Sequence, residues 1–201
     1  AEKARKGWAN TSLDNKYQIL TKIACLIREN EENLAQAESL DNGKPIWLSR
    51  KVDIPRAAQN FEFFATSIKH FESKFYYEPP NIYSQVLREP VGIVGCISPW
   101  NLPLYLFTWK IAPALASGNC VIAKPSEVTP YTAYLLADIC ANARLPPGVL
   151  NIVHGTGMKT GAAIVSHPAI KAISFTGGTR TGAQIASIAA PMFKKLSLEL
   201  G

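Results

Sequence analysis

Apolar residues recur at three- and four-residue steps through the first third of the chain. Tyr17, Leu20, Ile23, Ala24 and Ile27 mark one face of a helix, Leu34, Ala37 and Leu40 continue the pattern, and residues 1 to about 78 read as helical. Asn42-Gly43 supplies a stop within that stretch. A further helix begins after Pro55, whose fixed φ suits a first turn, and it carries Phe61, Phe64 and Ile68 at the spacing of a buried stripe. Pro79-Pro80 breaks the chain, and Ser84 to Pro90 reads as a strand entering a turn.

From Val91 the period changes. Val91 to Ile97 is an uninterrupted apolar strand, the pattern of a sheet covered on both faces. Helices are predicted near Pro103 to Ser117, Thr132 to Ala143, Gly157 to Ser166 and Thr179 to Ala190. Strands at Cys120 to Ala123, Val149 to Val153, Ala172 to Phe175 and Lys195 to Leu198 alternate with them. This βαβα order predicts an α/β fold: a doubly wound, mostly parallel, Rossmann-like sheet preceded by N-terminal helices, with nucleotide bound near the carboxyl ends of the strands. Residues 1–78 are then a helical part, 79–90 a strand and linker, and 91–201 the α/β core.

Composition alters little in this picture. A chain of 201 residues, 47% hydrophobic, has enough material for one good-sized core. No stretch approaches the roughly 18 uninterrupted apolar residues of a membrane span, and Ala1 to Lys6 lead into no signal-type segment, so a cytoplasmic location without membrane partners is expected. The net charge of +6 invites a nucleic-acid reading. The Lys and Arg residues are scattered, however; their densest group, Lys3, Arg5 and Lys6, has no interleaved aromatic ladder, and no nucleic-acid partner is expected. Cys25, Cys96, Cys120 and Cys140 stand at apolar positions without the close paired spacing of metal or redox motifs, so no metal is expected. Cys96 and Cys120 fall inside predicted strands, where a thiolate would be poorly exposed.

Several polar residues sit where the strands end. Asn101 follows one of them; its amide is suited either to donating to an oxyanion or to forming a turn. Leu102, Tyr105, Leu106 and Trp109 then share one helical face, as a ligand wall or as core. Lys124 and Ser126-Glu127 follow the next strand, placed to reach a ribose or to pair with each other at the surface. Gly155-Thr156-Gly157 and Gly177 to Gly182 each follow a strand and open a helix, the place where backbone N–H groups meet phosphate, although neither has the full G-x-G-x-x-G spacing. Glu199 ends an apolar strand, and partial burial is expected to raise its pKa toward the range useful to a general base. Arg56, in Asp53-Ile54-Pro55-Arg56, offers a planar fork for a substrate carboxylate or a partner for Asp53.

Ser98-Pro99-Trp100-Asn101-Leu102-Pro103-Leu104, Lys124-Pro125-Ser126-Glu127, Phe175-Thr176-Gly177-Gly178-Thr179 and Leu198-Glu199-Leu200-Gly201 stand in the order found in the aldehyde dehydrogenases, and most of the chain resembles that family. The resemblance implies that Asn101 is the oxyanion donor and Glu199 the base that activates water. It implies cofactor contacts at Ile97, Ser98, Trp100, Lys124, Ser126, Glu127, Gly157, Gly161, Thr176, Gly177, Gly178 and Leu200, with Lys124 and Glu127 on the adenosine ribose. A carboxylate there repels a 2′-phosphate, so NAD is expected over NADP. Gly178 stands where the family usually has a serine, and weakened or rearranged phosphate contact follows from the lost hydroxyl. The family's substrate tunnel maps to Leu102, Tyr105 and Trp109.

The Asp53 to Arg56 string, with Ser98 to Tyr105 and Val149 to Val153, is most similar to the 2-aminomuconic semialdehyde dehydrogenase branch, in which the matching arginine is implicated in holding the substrate carboxylate. The implied reaction has two stages: a cysteine thiolate adds to the aldehyde and hydride leaves to give a thioester, then activated water releases the acid. In the family that cysteine follows the base, so residues 1–201 alone are expected to be inactive, and the full-length form a homo-oligomer acting on a small aldehyde. The alternative is a truncated, noncatalytic product that binds nucleotide or joins oligomers. Acyl-phosphate reductases share the cysteine and the nicotinamide, but they need no water-activating Glu199.

Overall fold

Ser12 starts the longest helix by accepting a hydrogen bond from the Asn15 N–H at 3.2 Å, which satisfies one of the donors a helix N-terminus leaves free. In the computed structural model, which describes residues 1–201, α1 (Glu2–Ala9), α2 (Leu13–Glu29), α3 (Glu31–Asn42), the short α4 (Ile46–Leu48) and α5 (Ile54–Ser67) form a helical layer. Leu20, Ile23, Ala24 and Ile27 of α2 are fully buried, and α2 packs chiefly on α5, where Ala57 and Phe61 are also fully buried. Burying each of the larger side chains contributes about 1.5–3 kcal/mol. Gly43 closes α3 in the left-handed region at φ 77°, a conformation glycine adopts without strain.

Leu40 departs from the expected stripe: it is 78% exposed, while Leu34, Ala35, Ala37 and Glu38 face inward. Leu40 is out of step with Leu34 on a turn of 3.6 residues, and Glu38, one turn after Leu34, takes the inward position. The expectation of helix up to residue 78 also fails. Phe75–Glu78 is a strand, β1, paired antiparallel with β2 (Ile82–Gln85) across Pro79-Pro80. The run Phe75-Tyr76-Tyr77 favours extended backbone, and the two prolines make the turn. The strand expected from Ser84 to Pro90 accordingly ends at Gln85, opposite Phe75.

The second layer is a parallel sheet of β3 (Ile93–Ile97), β4 (Cys120–Lys124), β5 (Leu150–Ile152), β6 (Ile170–Gly177) and β7 (Lys195–Leu200), in the order β5-β4-β3-β6-β7. Between the strands run α6 (Pro103–Ala116), α7 (Tyr131–Asn142), a π turn at Gly157–Gly161 continuing into α8 (Ala162–Ser166), and α9 (Thr179–Ala189). Right-handed crossovers and the reversal of strand order put α6 and α7, with the helical layer, on one face and α8 and α9 on the other. Gly95 makes the close α8 contact possible, since a Cβ there would lie 2.5 Å from Ile164 Cγ2 and 2.9 Å from Ile173 Cδ1. Both layers share one apolar core, tied by the Trp8 indole N–H donating to the Leu115 carbonyl at 3.0 Å.

Candidate active site

The chain leaves β3 toward β4 and leaves β6 toward β7, so a crevice opens where the carboxyl ends of these adjacent strands diverge. A cavity of about 1080 Å³ lies there. Ile97, Ser98 and Trp100 reach it from β3, Lys124, Ser126 and Glu127 from β4, Gly157 and Gly161 from the π turn, and Thr176, Gly177 and Gly178 from β6. Of the expected cofactor residues only Leu200 is outside; its side chain packs on Gly182, where a Cβ would meet Leu200 Cδ2 at 2.5 Å. The wall formed by Thr181, Gln184, Ile185 and Ile188 was not foreseen, although its spacing along α9 is that of a single helical face.

Lys124 is buried, with its ammonium donating to Glu127 Oε2 at 2.8 Å and to the Pro125 carbonyl at 3.0 Å. Glu127 Oε1 accepts from the Gly157 N–H at 3.1 Å. The Lys124 hydrogen bond, helped by backbone N–H groups, outweighs desolvation and holds the Glu127 carboxyl down at about 2. Gly155, at φ 138°, cannot be replaced without strain, because a Cβ would also come within 2.1 Å of Thr160 Oγ1. Two features leave donors for an anion: the buried Ser98 hydroxyl has no partner, and α9 opens at Gly178 with no side-chain cap on its first N–H groups. Gly178 itself has an ordinary φ of −68° and open space around a Cβ. What it lacks relative to serine is therefore a hydroxyl, and its backbone conformation needs no glycine.

A second cavity, of about 380 Å³, lies against α6 with Trp109, Lys110 and Glu199 in its wall. Glu199 accepts from the Thr176 hydroxyl at 2.5 Å, from the Trp109 indole N–H at 3.3 Å and from the Lys110 ammonium at 3.4 Å. Thr176 thus stands between the two cavities. The expected rise in the Glu199 pKa is overturned: desolvation pushes it up, but Thr176, Lys110 and Trp109 together hold it below the ordinary carboxylate range. Burial is the largest single influence, but with the side chain 45% exposed it is outweighed by the three donors acting together. Lys110 was missed by sequence reading; its signal was a single charge in the otherwise apolar body of α6, and burial lowers its own pKa.

Asn101 lies on the exposed turn before α6, with its side-chain amide free of partners within the chain. Leu102, half-buried, is the N-cap of α6. Arg56 pairs with no carboxylate: Asp53 is held by Lys44 at 2.7 Å, and the Arg56 guanidinium lies 5.4 Å from the centre of the Tyr105 ring. Trp109 packs edge-on against Phe64 at 5.7 Å. Arg56, Leu102 and Tyr105 line neither cavity. Nor does any cysteine. Cys96 and Cys140 are buried and pushed up to about 12, burial also raises buried Cys120, and the exposed Cys25 sits on α2. No cluster of three or more His, Cys, Asp or Glu side chains is placed to hold a metal ion, and no helix is long and apolar enough to cross a membrane.

The family model of the aldehyde dehydrogenases matches residues 1–201. The chain belongs to the aldehyde dehydrogenase family. Among its relatives, the 2-aminomuconic semialdehyde dehydrogenase of Bos taurus is 52% identical over all of this chain and 42% of the relative's length. The 2-hydroxymuconic semialdehyde dehydrogenase of Pseudomonas sp. (strain CF600) is 44% identical, over all of the chain and 43% of the relative. An indole-3-acetaldehyde dehydrogenase mutant of P. syringae, solved in complex with NAD+ and IAA, superposes with a TM-score of 0.98 at 36% identity, covering all of this chain and 41% of that one. The chain thus spans about two fifths of the length of these relatives.

Proposed function

We propose that residues 1–201 carry the cofactor site, the oxyanion donor and the water-activating base of an NAD-dependent aldehyde dehydrogenase whose substrate bears a carboxylate, such as 2-aminomuconic semialdehyde. The observation that carries this reading is Thr176, which lines the large cavity and hydrogen-bonds Glu199, so the base stands one hydroxyl away from the cofactor crevice. The crevice fits a dinucleotide. Lys124 and the ionised Glu127 offer a donor and an acceptor to ribose hydroxyls, the uncapped start of α9 and the unpartnered Ser98 hydroxyl suit a pyrophosphate, and Glu127 disfavours a 2′-phosphate. When bound, NAD supplies the hydride acceptor.

Residues 1–201 supply two of the remaining roles, oxyanion donor and base. The Asn101 amide donates to the oxygen that becomes negative when a thiolate adds to the aldehyde carbonyl. Glu199, ionised at neutral pH, takes a proton from the water that cleaves the thioester. The thiolate comes from outside residues 1–201 in this reading, since three of the four cysteines are buried and none lines either of the two cavities described, and these residues alone form no acid. The exposed hairpin of Phe75, Tyr76, Tyr77, Ile82 and Tyr83 is the contact surface of a homo-oligomer; light scattering of the full-length protein as a monomer would contradict this.

Arg56, free of carboxylate partners, clamps the substrate carboxylate. In the full-length enzyme Arg56→Ala should raise KM for a carboxylate-bearing semialdehyde about ten- to a hundredfold and spare a simple aldehyde. Equal losses on both substrates would remove the clamp, and no NAD-dependent acid formation from either would overturn the functional reading itself.

A further inference from the structure

The turn that carries Asn101 is gripped at three points from a single place in the helical layer. Asn42 donates its side-chain N–H to the Trp100 carbonyl at 2.7 Å, and Lys44 donates to the Asn101 carbonyl at 3.3 Å. Glu38 accepts from the Leu104 N–H, in the first turn of α6, at 3.3 and 3.4 Å. All three side chains belong to the last turns of α3 and the reversal that follows Gly43, where the Ser39 hydroxyl donates to the Lys44 carbonyl at 2.5 Å and so fixes the backbone that presents the ammonium.

Lys44 is the hub. Its side chain is 8% exposed, and its ammonium donates to Asp53 Oδ2 at 2.7 Å and lies 3.8 Å from Glu38 Oε1. Both carboxylate side chains are fully buried, and the Thr132 hydroxyl from α7 donates to Glu38 at 2.9 Å. A buried ion cluster is a poor source of stability, because desolvation offsets the attraction between the charges. Here it has a directional result: Asp53 and Glu38 fix the ammonium, and the ammonium fixes the backbone of the residue whose amide must aim at an oxyanion. Misplacement of such a donor by about 1 Å costs on the order of a hundredfold in rate.

We propose that Lys44, held by Glu38 and Asp53, is a positioning residue for the oxyanion site, setting the aim of the Asn101 amide through its carbonyl, with Asn42 as the second hold on the same turn. This rests on the reading of Asn101 as the oxyanion donor. The test is a double-mutant cycle in the full-length enzyme. Asn101→Ala should lower kcat about a hundredfold or more. Lys44→Met should lower kcat about tenfold, leave the Kd for NAD within about twofold, and have no further effect once Asn101 is already Ala.

If Lys44→Met leaves kcat unchanged, or lowers it by the same factor with and without the Asn101 amide, the positioning role is wrong. If Asn101→Ala itself changes nothing, the reading of the oxyanion site is what fails. Should Lys44→Met not fold, Asn42→Ala, at a half-buried site, serves in the same cycle: a loss of kcat that disappears in the Asn101→Ala background supports the grip on this turn, and an additive or absent loss overturns it.

Discussion

Replacing Glu38 by Gln should make the protein more stable in alkali relative to the parent, by an amount that grows with pH. Burial, only partly offset by the Thr132 hydroxyl, the Lys44 ammonium and the Leu104 N–H, pushes the Glu38 carboxyl up from 4.5 to about 7. Asp53, the other carboxylate in the cluster, adds to the rise. The folded pKa is therefore raised above the unfolded one. Its contribution to stability is fully present below 4.5 and is lost as pH rises through about 7, because ionisation costs more in the folded chain.

The rise from 4.5 to about 7 corresponds to roughly 3 kcal/mol. Between about pH 5, where the unfolded carboxyl already ionises, and about pH 8.5, most of it, roughly 2–3 kcal/mol, develops. Glutamine keeps the acceptor for Leu104 and carries no charge at either pH. In a cooperative unit the size of this chain the difference is about 6 °C, and it falls in proportion if a larger subunit melts as one. The assay is calorimetry of parent and variant, full length, at both pH values and equal ionic strength; effects of groups that do not interact with Glu38 cancel in the difference. A parent-to-variant gap in Tm that is the same at both pH values would refute the reasoning.

Three more outcomes follow from the crevice. Gly155→Ala meets Thr160 Oγ1 and strains a φ of 138°, so NAD binding should weaken and stability fall by about 1–3 kcal/mol; Thr160→Ala should restore only part, since the backbone strain stays, and full restoration would show that the clash was the sole cause. Gly178→Ser fits in open space at an uncapped helix start, so it should add a few tenths of a kcal/mol and tighten NAD binding measured by fluorescence titration; weaker binding would refute the account of Gly178. Glu127→Gln removes an ionised carboxylate and should narrow the preference for NAD over NADP, while an unchanged ratio of the two dissociation constants would detach Glu127 from ribose selection.

The α/β half was legible because a sheet buried on both faces writes itself as apolar runs, and helices between parallel strands write themselves as amphipathic stretches. The strand-end residues Ile97, Lys124, Glu127 and Thr176 could be placed near one another for the same reason: parallel topology brings carboxyl ends to one edge. Phase and length were less legible. Leu40 joined the helical stripe only by counting, and Phe75 to Glu78 were absorbed into a helix because four residues are too few to show a period.

What the sequence hid most is charge environment, which depends on contacts between distant positions. Partial burial of a strand-end carboxylate implies a raised pKa, and for Glu199 that inference has the wrong sign because Trp109 and Lys110 come back from α6 and Thr176 from the adjacent strand. Glu38 shows the converse: it lies late in a polar helix, yet α6 and α7 close over it and its carboxyl rises to about 7. Two glutamates of the same ordinary acidity are thus driven apart by a fold that opens one and buries the other. The exposed one is left ionised, as the proposed role of a base requires, and the buried one accepts a hydrogen bond from the first turn of α6 beside it.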